Sequence, residues 1–156
     1  MRAHAVIRQP NDFTGVTLAG QPMAFLVTGK HTKHTSMFDW TIPARFSTGR
    51  HVHRVQEETF YVVEGECEWQ VGDETVHAVP GTFVFIPPGV PHNIANTSDR
   101  KARVIMTVSP PGHEHYFEEL AEMVSRSGPP DPKAIGDLRL RYDTEQISAL
   151  QAISES

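Results

Sequence analysis

The sequence predicts an all-β protein with a short helical tail, and three observations carry that reading. From about Thr14 to Val108 the apolar residues alternate or cluster in short runs broken by Gly, Pro and Asn/Asp turns. No helical stretch interrupts those runs, so the strands must pair antiparallel, as a sandwich, jelly roll or small barrel. After Pro110-Pro111-Gly112 the apolar period changes to that of a helix.

The strands follow in order. The first expected strand is TLAG, before Gln21, and the next is MAFLVT (23–28). Then come SMFDWTI (36–42), a segment from His51 to Val55, and TFYVV (59–63). CEWQV (67–71) and TVHAV (75–79) flank Gly72-Asp73, which reads as a tight hairpin turn in which Gly supplies a positive φ. TFVFI (82–86), HNIAN (92–96) and RVIMTV (103–108) complete a set of about ten.

In the tail, Tyr116, Phe117, Leu120, Met123 and Val124 share a helical face that Gly128-Pro129-Pro130 stops. Asp131 caps a second helix with Pro132 at its first position and a stripe of Ile135, Leu138 and Tyr142. A third short helix is expected after Asp143-Thr144, carrying Ile147, Leu150 and Ile153. The organisation is one domain: N-terminal strands and arm at 1–35, a barrel at 36–110 and the helical tail at 111–156, which covers a barrel face or a dimer partner.

Composition narrows the function classes. A chain of 156 residues with 38% hydrophobic and 21% charged residues can bury a real core. Its formal charge of −5, with no Lys/Arg block, argues against nucleic acid or anionic membranes as partners. A single cysteine, Cys67, allows no internal disulfide, and no segment has the apolar length of a signal peptide or membrane span. The expectation is a soluble cytoplasmic protein. Nine histidines are the unusual feature.

HVHRVQEETFYVVEGE, residues 51–66, concentrates the chemistry. Side chains at i and i+2 share one face of a strand, so His51 and His53 converge. Parity on the next strand puts Glu58, Phe60 and Val62 together, with Thr59 and Tyr61 opposite; Glu57 faces away. If that shared face is the interior, a carboxylate joins two imidazoles in an apolar setting. Isolated buried charges are costly, and a divalent cation reverses the sign by giving each group a partner. A second segment, GTFVFIPPGVPHNIAN (81–96), ends one strand in a Pro-rich turn and opens the next with His92.

Here the sequence resembles the cupin superfamily. Residues 49–65 match its first motif through His51, His53, Glu58 and Gly65, with a shorter spacing from Gly49 to the first histidine than the family's usual one. Residues 81–96 match the second motif at Gly81, Pro87, Gly89, His92 and Asn96. The resemblance implies a jelly-roll barrel, the double-stranded β-helix, with one divalent metal in its mouth. The implied ligands are His51, His53, Glu58 and His92. Such a donor set suits Fe, Mn, Ni, Co or Zn, and an ion accepting five or six ligands keeps positions open for substrate, water or O2. The helical tail also resembles that of single-domain cupins similar to bacterial quercetinases. That likeness implies a dioxygenase acting on a flavonol, phenolic or other enolisable small molecule, with Glu58 as catalytic base.

Candidate pocket walls are Phe38, Trp40, Phe46, Phe60, Ile94, Met106 and Phe85, with only one of Phe83 and Phe85 expected inside. Tyr61 is expected to face outward beneath the tail helices. His31 and His34 read as an exposed loop, His113 and His115 as surface or helix-start residues, and Cys67 as an inert sheet residue. Against the enzyme stand two other readings: a metal-dependent small-ligand sensor without turnover, and a sugar isomerase or epimerase. The latter needs Arg or Lys inside the barrel, and Arg45, Arg50 and Arg54 read as lying near the mouth or outside. A homodimer is expected through residues 13–28.

Overall fold

In a computed structural model of the protein, which describes residues 4–125 and 131–148, short strands fold into two facing antiparallel sheets and two helices follow. Strands β1 (Gly15–Leu18), β2 (Gln21–Val27), β3 (Ser36–Ile42), β6 (Glu57–Glu64), β9 (Phe83–Ile86) and β11 (Ala102–Ser109) form one sheet in the order β1-β2-β3-β11-β6-β9. The other runs β12-β5-β10-β7-β8, from Glu145–Gln146, His51–Val52, His92–Asn96, Cys67–Val71 and Glu74–Ala78, with β4 (Phe46–Ser47) paired to β10. Helices α1 (His113–Ser125) and α2 (Pro132–Arg141) come between β11 and β12.

Alternation drives this layering. In β3 the residues Ser36, Phe38, Trp40 and Ile42 are buried while those between are half-buried, and in β11 Ala102, Val104, Met106 and Val108 are buried while those between are exposed or half-buried. Trp69, Phe38 and Phe60 are among the largest fully buried side chains. Each stabilises the fold by roughly 1.5–3 kcal/mol or somewhat more through apolar area removed from water.

Two glycines of the motif segments are required by their surroundings. Gly65 has φ +71°, and a Cβ there would lie 2.8 Å from the Ala102 Cα and the Lys101 carbonyl oxygen. Gly89 has φ +84°, and its N–H donates to the His53 carbonyl at 2.7 Å, so the Pro-rich turn of the second segment clamps the first. Asn96 is a clamp too: fully buried, it donates to the Pro43 and Arg100 carbonyls and accepts from Ser98.

Several expectations are corrected. The strand expected as TLAG is displaced to Gly15–Leu18, because Ala19 (φ 48°) and Gly20 (φ 72°) both adopt left-handed backbone and form the two-residue turn between Leu18 and Gln21. The segment after Asp143-Thr144 forms β12 beside β5, not a helix; of the expected stripe, Ile147 is half exposed, and Leu150 and Ile153 lie outside the described residues. Tyr61 faces outward but stays half exposed opposite Phe83, uncovered by the described tail. Phe83 and Phe85 are two residues apart and therefore share a face; that face is the outer one, and Val84 and Ile86 turn inward. Phe85 is thus no pocket wall. Neither described helix is long and apolar enough to cross a membrane.

Candidate metal centre

The four expected ligands meet. His51 and His92 are direct cross-strand partners on β5 and β10, His53 follows β5, and Glu58 reaches across from β6 of the opposite sheet. Their ligand atoms all lie within 4.8 Å of one another, and every one of the four residues is buried.

The outer nitrogens fix what the inner ones present. His51 Nδ1 is 2.7 Å from the Gly49 carbonyl, His92 Nδ1 is 3.0 Å from that of Val90, and His53 Nδ1 is 2.8 Å from that of Asp143. A carbonyl only accepts, so each Nδ1 carries the hydrogen, and Nε2 is the atom each ring turns inward, a lone pair for a metal whenever it carries no proton. Those nitrogens face a carboxylate: Glu58 Oε2 is 3.0 Å from His92 Nε2, and Oε1 is 3.3 Å from His53 Nε2. The second contact is within ion-pair reach but off hydrogen-bond alignment, leaving His53 Nε2 a buried atom without a hydrogen-bond partner.

Four electron-rich groups facing each other require a cation. Without a metal, the cluster's own remedy is a proton. Burial alone would depress the His53 pKa, but the Glu58 carboxylate and Asp143 outweigh it and raise that pKa. Burial would likewise raise the Glu58 pKa, and His53 and His92 instead hold it well below the usual carboxylate range. His51 is pushed down to about 3 by burial and by neighbouring His92, so it stays a neutral donor. Three neutral imidazoles and an ionised carboxylate fit a divalent transition metal such as Fe, Mn, Co, Ni or Zn.

The tail contributes more than the sequence suggests. Asp143, with φ 55°, turns its carbonyl to His53 while its carboxylate accepts from three successive backbone N–H groups, those of Arg54, Val55 and Gln56, at 2.9, 2.8 and 2.8 Å. His113, expected at the surface, is buried, with its ring centroid 5.9 Å from that of His53. Burial holds its pKa down to about 4, against the pull of Glu58. The signal for His113 was present: with Tyr116, Phe117 and Leu120 it completes an i, i+3, i+4, i+7 face. Nothing in the local sequence marks Asp143, because its partners lie 87 to 90 residues away.

The other candidates divide. Phe38, Trp40, Phe60, Ile94 and Met106 are buried between the sheets, and Phe46 is half-buried edge-on to Trp40. Phe38 packs on Phe25 and on Phe117 of α1, so α1 closes over the apolar interior near His53. Arg45 and Arg54 pair with Asp99 and Glu145 at the surface, and Arg50 donates to the Gly72 carbonyl. None of the three supplies a guanidinium to the cluster. His31 and His34 are exposed, and burial beside Glu66 pushes the Cys67 thiol up to about 12, leaving it unreactive.

With this geometry in place, residues 38–108 match the family model described as Cupin domain. Those residues have the cupin β-sandwich fold. By sequence the chain is 28% identical over 87 residues to the uncharacterized protein MJ1618 of Methanocaldococcus jannaschii, covering 56% of this chain and 69% of that protein. It is 27% identical over 105 residues to the HTH-type transcriptional regulator PuuR of Escherichia coli, covering 67% of this chain but only 57% of the regulator. Among solved structures, KdgF from Halomonas sp. matches with a TM-score of 0.60 at 18% identity, over 73% of this chain and 99% of that one. A predicted oxalate decarboxylase from Thermotoga maritima matches with a TM-score of 0.53 at 24% identity, over 58% and 80%. These structural likenesses speak to the cupin fold and carry no particular reaction with them.

Proposed function

We propose that this cupin is a metal-dependent dioxygenase of quercetinase-like type, acting on a flavonol, phenolic or other enolisable small molecule. The observation that carries the reading is Glu58: a buried carboxylate whose oxygens lie 3.3 Å from His53 Nε2 and 3.0 Å from His92 Nε2, next to the apolar interior. His51, His53, Glu58 and His92 would hold the metal, which when bound supplies Lewis-acid activation and, for a redox-active ion, reactivity toward O2. Glu58 takes the proton of an acidic substrate hydroxyl, leaving the substrate an electron-rich enolate or phenolate. Phe38, Trp40, Phe60, Ile94 and Met106 exclude water and suit a flat apolar molecule.

The test is elemental analysis of the purified protein, followed by O2 uptake on flavonols and simpler enolisable compounds. The expected result is stoichiometric metal and uptake that Glu58→Gln abolishes. Metal without uptake on any of these would move the assignment to a second reading, a small-ligand binding module without turnover. The similarity to a transcriptional regulator favours that second reading over a sugar isomerase, which the surface positions of Arg45 and Arg54 disfavour.

A further inference from the structure

Among the described residues, few buried side-chain nitrogens and oxygens lack a hydrogen-bond partner, and two of them belong to His53 and His113. The His53 atom is accounted for by the metal. The His113 atom, Nδ1, is not: His113 lies outside the group of four whose ligand atoms converge. A buried imidazole nitrogen without a partner is unfavourable and calls for an explanation, a functional role among them.

The placement of this ring is built, not incidental. Glu114, the next residue, accepts from Gly29 N at 2.7 Å, Ser36 Oγ at 2.5 Å and Gly112 N at 3.0 Å, which pins the start of α1 to the barrel. Tyr116 and Phe117 pack on the His113 ring with centroids 4.9 and 5.0 Å away, fixing its plane. His53 is also a neighbour, with ring centroids 5.9 Å apart, and Glu58 lies within electrostatic reach. A purely structural residue at this helix position would be served as well by leucine, which has no polar atom to leave unpaired.

We infer that His113 is a substrate-positioning residue, whose Nδ1–H donates a hydrogen bond to the anionic oxygen of the small molecule that enters beside the His51/His53/Glu58/His92 cluster. The inference deepens the proposed function and rests on its metal-binding part, not on turnover. It assigns the tail helix a direct share in ligand recognition. The ligand class follows from the chemistry: a neutral ring adds no charge of its own, yet its donor selects an ionised hydroxyl over an apolar group of the same shape.

The experiment uses the full chain loaded with Co(II), with azide as the probe anion and the visible cobalt spectrum as readout. Two variants are compared with the wild type: His113→Leu, which fills the volume without a donor, and His113→Asn, which returns an amide near the position of Nδ1. Cobalt content is expected to equal the wild type in both. Azide should bind His113→Leu about tenfold more weakly, the loss of one hydrogen bond to a charged group, and His113→Asn within about threefold of the wild type. Thermal melting of His113→Leu should be no lower than the wild type, because the unpaired atom is gone.

Wild-type azide affinity in His113→Leu would overturn the inference, and so would failure of His113→Asn to restore binding. Cobalt loss in His113→Leu comparable to that in His92→Ala would make His113 a ligand and likewise overturn it. A wild type that takes up no cobalt fails at the metal reading, before azide is added. One that shows the azide signature but consumes no O2 loses only the dioxygenase reading.

Discussion

Asp143→Asn tests whether the tail builds the metal centre or merely lies beside it. In the native protein one carboxylate oxygen accepts from Arg54 N and the other from Val55 N and Gln56 N. An amide turned to keep its oxygen on the latter two presents an NH2 to Arg54 N, losing that bond and the charge assistance of the other two. One hydrogen bond at about 1 kcal/mol, with a few tenths to about 1 kcal/mol of charge assistance lost on the remaining pair, gives a destabilisation of about 2 kcal/mol. Asn tolerates the left-handed backbone that position 143 adopts (φ 55°), so strain adds little. For a chain of this size that is a fall in Tm of about 4–8 °C by calorimetry. The pH dependence has a definite sign. Burial would raise the Asp143 pKa, but the N–H groups of Gln56, Val55 and Arg54 outweigh it and lower it below its ordinary 3.8. A depressed carboxylate adds stability that is fully present above the unfolded value and is lost as pH falls through the folded one. The gap between wild type and variant should therefore be constant near neutrality and close below 3.8. Metal affinity should drop about tenfold or more, because the loop carrying His53 and the carbonyl that orients it both loosen. A variant melting within 1 °C of wild type, with unchanged metal affinity, would refute the reasoning.

Two further outcomes are expected. Stripping the metal with a chelator should lower Tm by about 10 °C relative to protein held near a thousandfold excess over Kd, where binding adds about 4 kcal/mol; exchange of the Gln56 and Thr144 amides, bonded to Asp143 and to the Arg139 carbonyl, should accelerate with it. Unchanged exchange at both sites would argue that the tail does not respond to the metal. Glu114→Ala should destabilise the fold by about 2 kcal/mol by leaving Gly29 N without its acceptor and removing the acceptor of the Ser36 hydroxyl, while Gly112 N keeps its bond to Ser36 Oγ, read as a urea midpoint shift at constant slope.

Strand parity made the convergence of His51, His53 and Glu58 legible, and the resemblance to the second cupin motif added His92. His51 and His53 share a face by spacing alone, Glu58 joins Phe60 and Val62 by the same rule, and the Pro-Pro-Gly turn returns the chain so that His92 lies opposite His51. What was not legible depends on docking between distant segments. Residues 145–146 are polar and carry no strand signal, yet they pair with β5 because that edge is left open. His113 opens α1, where an exposed position is the ordinary expectation, and it is buried because Tyr116 and Phe117 of the same helix face pack on its ring. Phe83 and Phe85 illustrate the opposite limit: aromatic composition suggests a core, but inward pairing of Ile86 beside Glu58 turns both outward.

The outer contacts of the three histidines are unequal, and that inequality has a thermodynamic consequence. His51 and His92 take their carbonyls from residues only two positions away, so their orientation is a local property of the barrel. His53 takes its carbonyl from Asp143, across 90 residues, and the loop that bears it is held by the same residue's carboxylate. Release of the tail would remove one imidazole's orientation and the neighbouring His113 together, while leaving the other two histidines in place. Because binding free energies are reciprocal, whatever affinity the docked tail adds to the metal, the metal returns to the docking of the tail. Asp143, which bonds both His53 and the loop that bears it, is the residue through which such a coupling would pass.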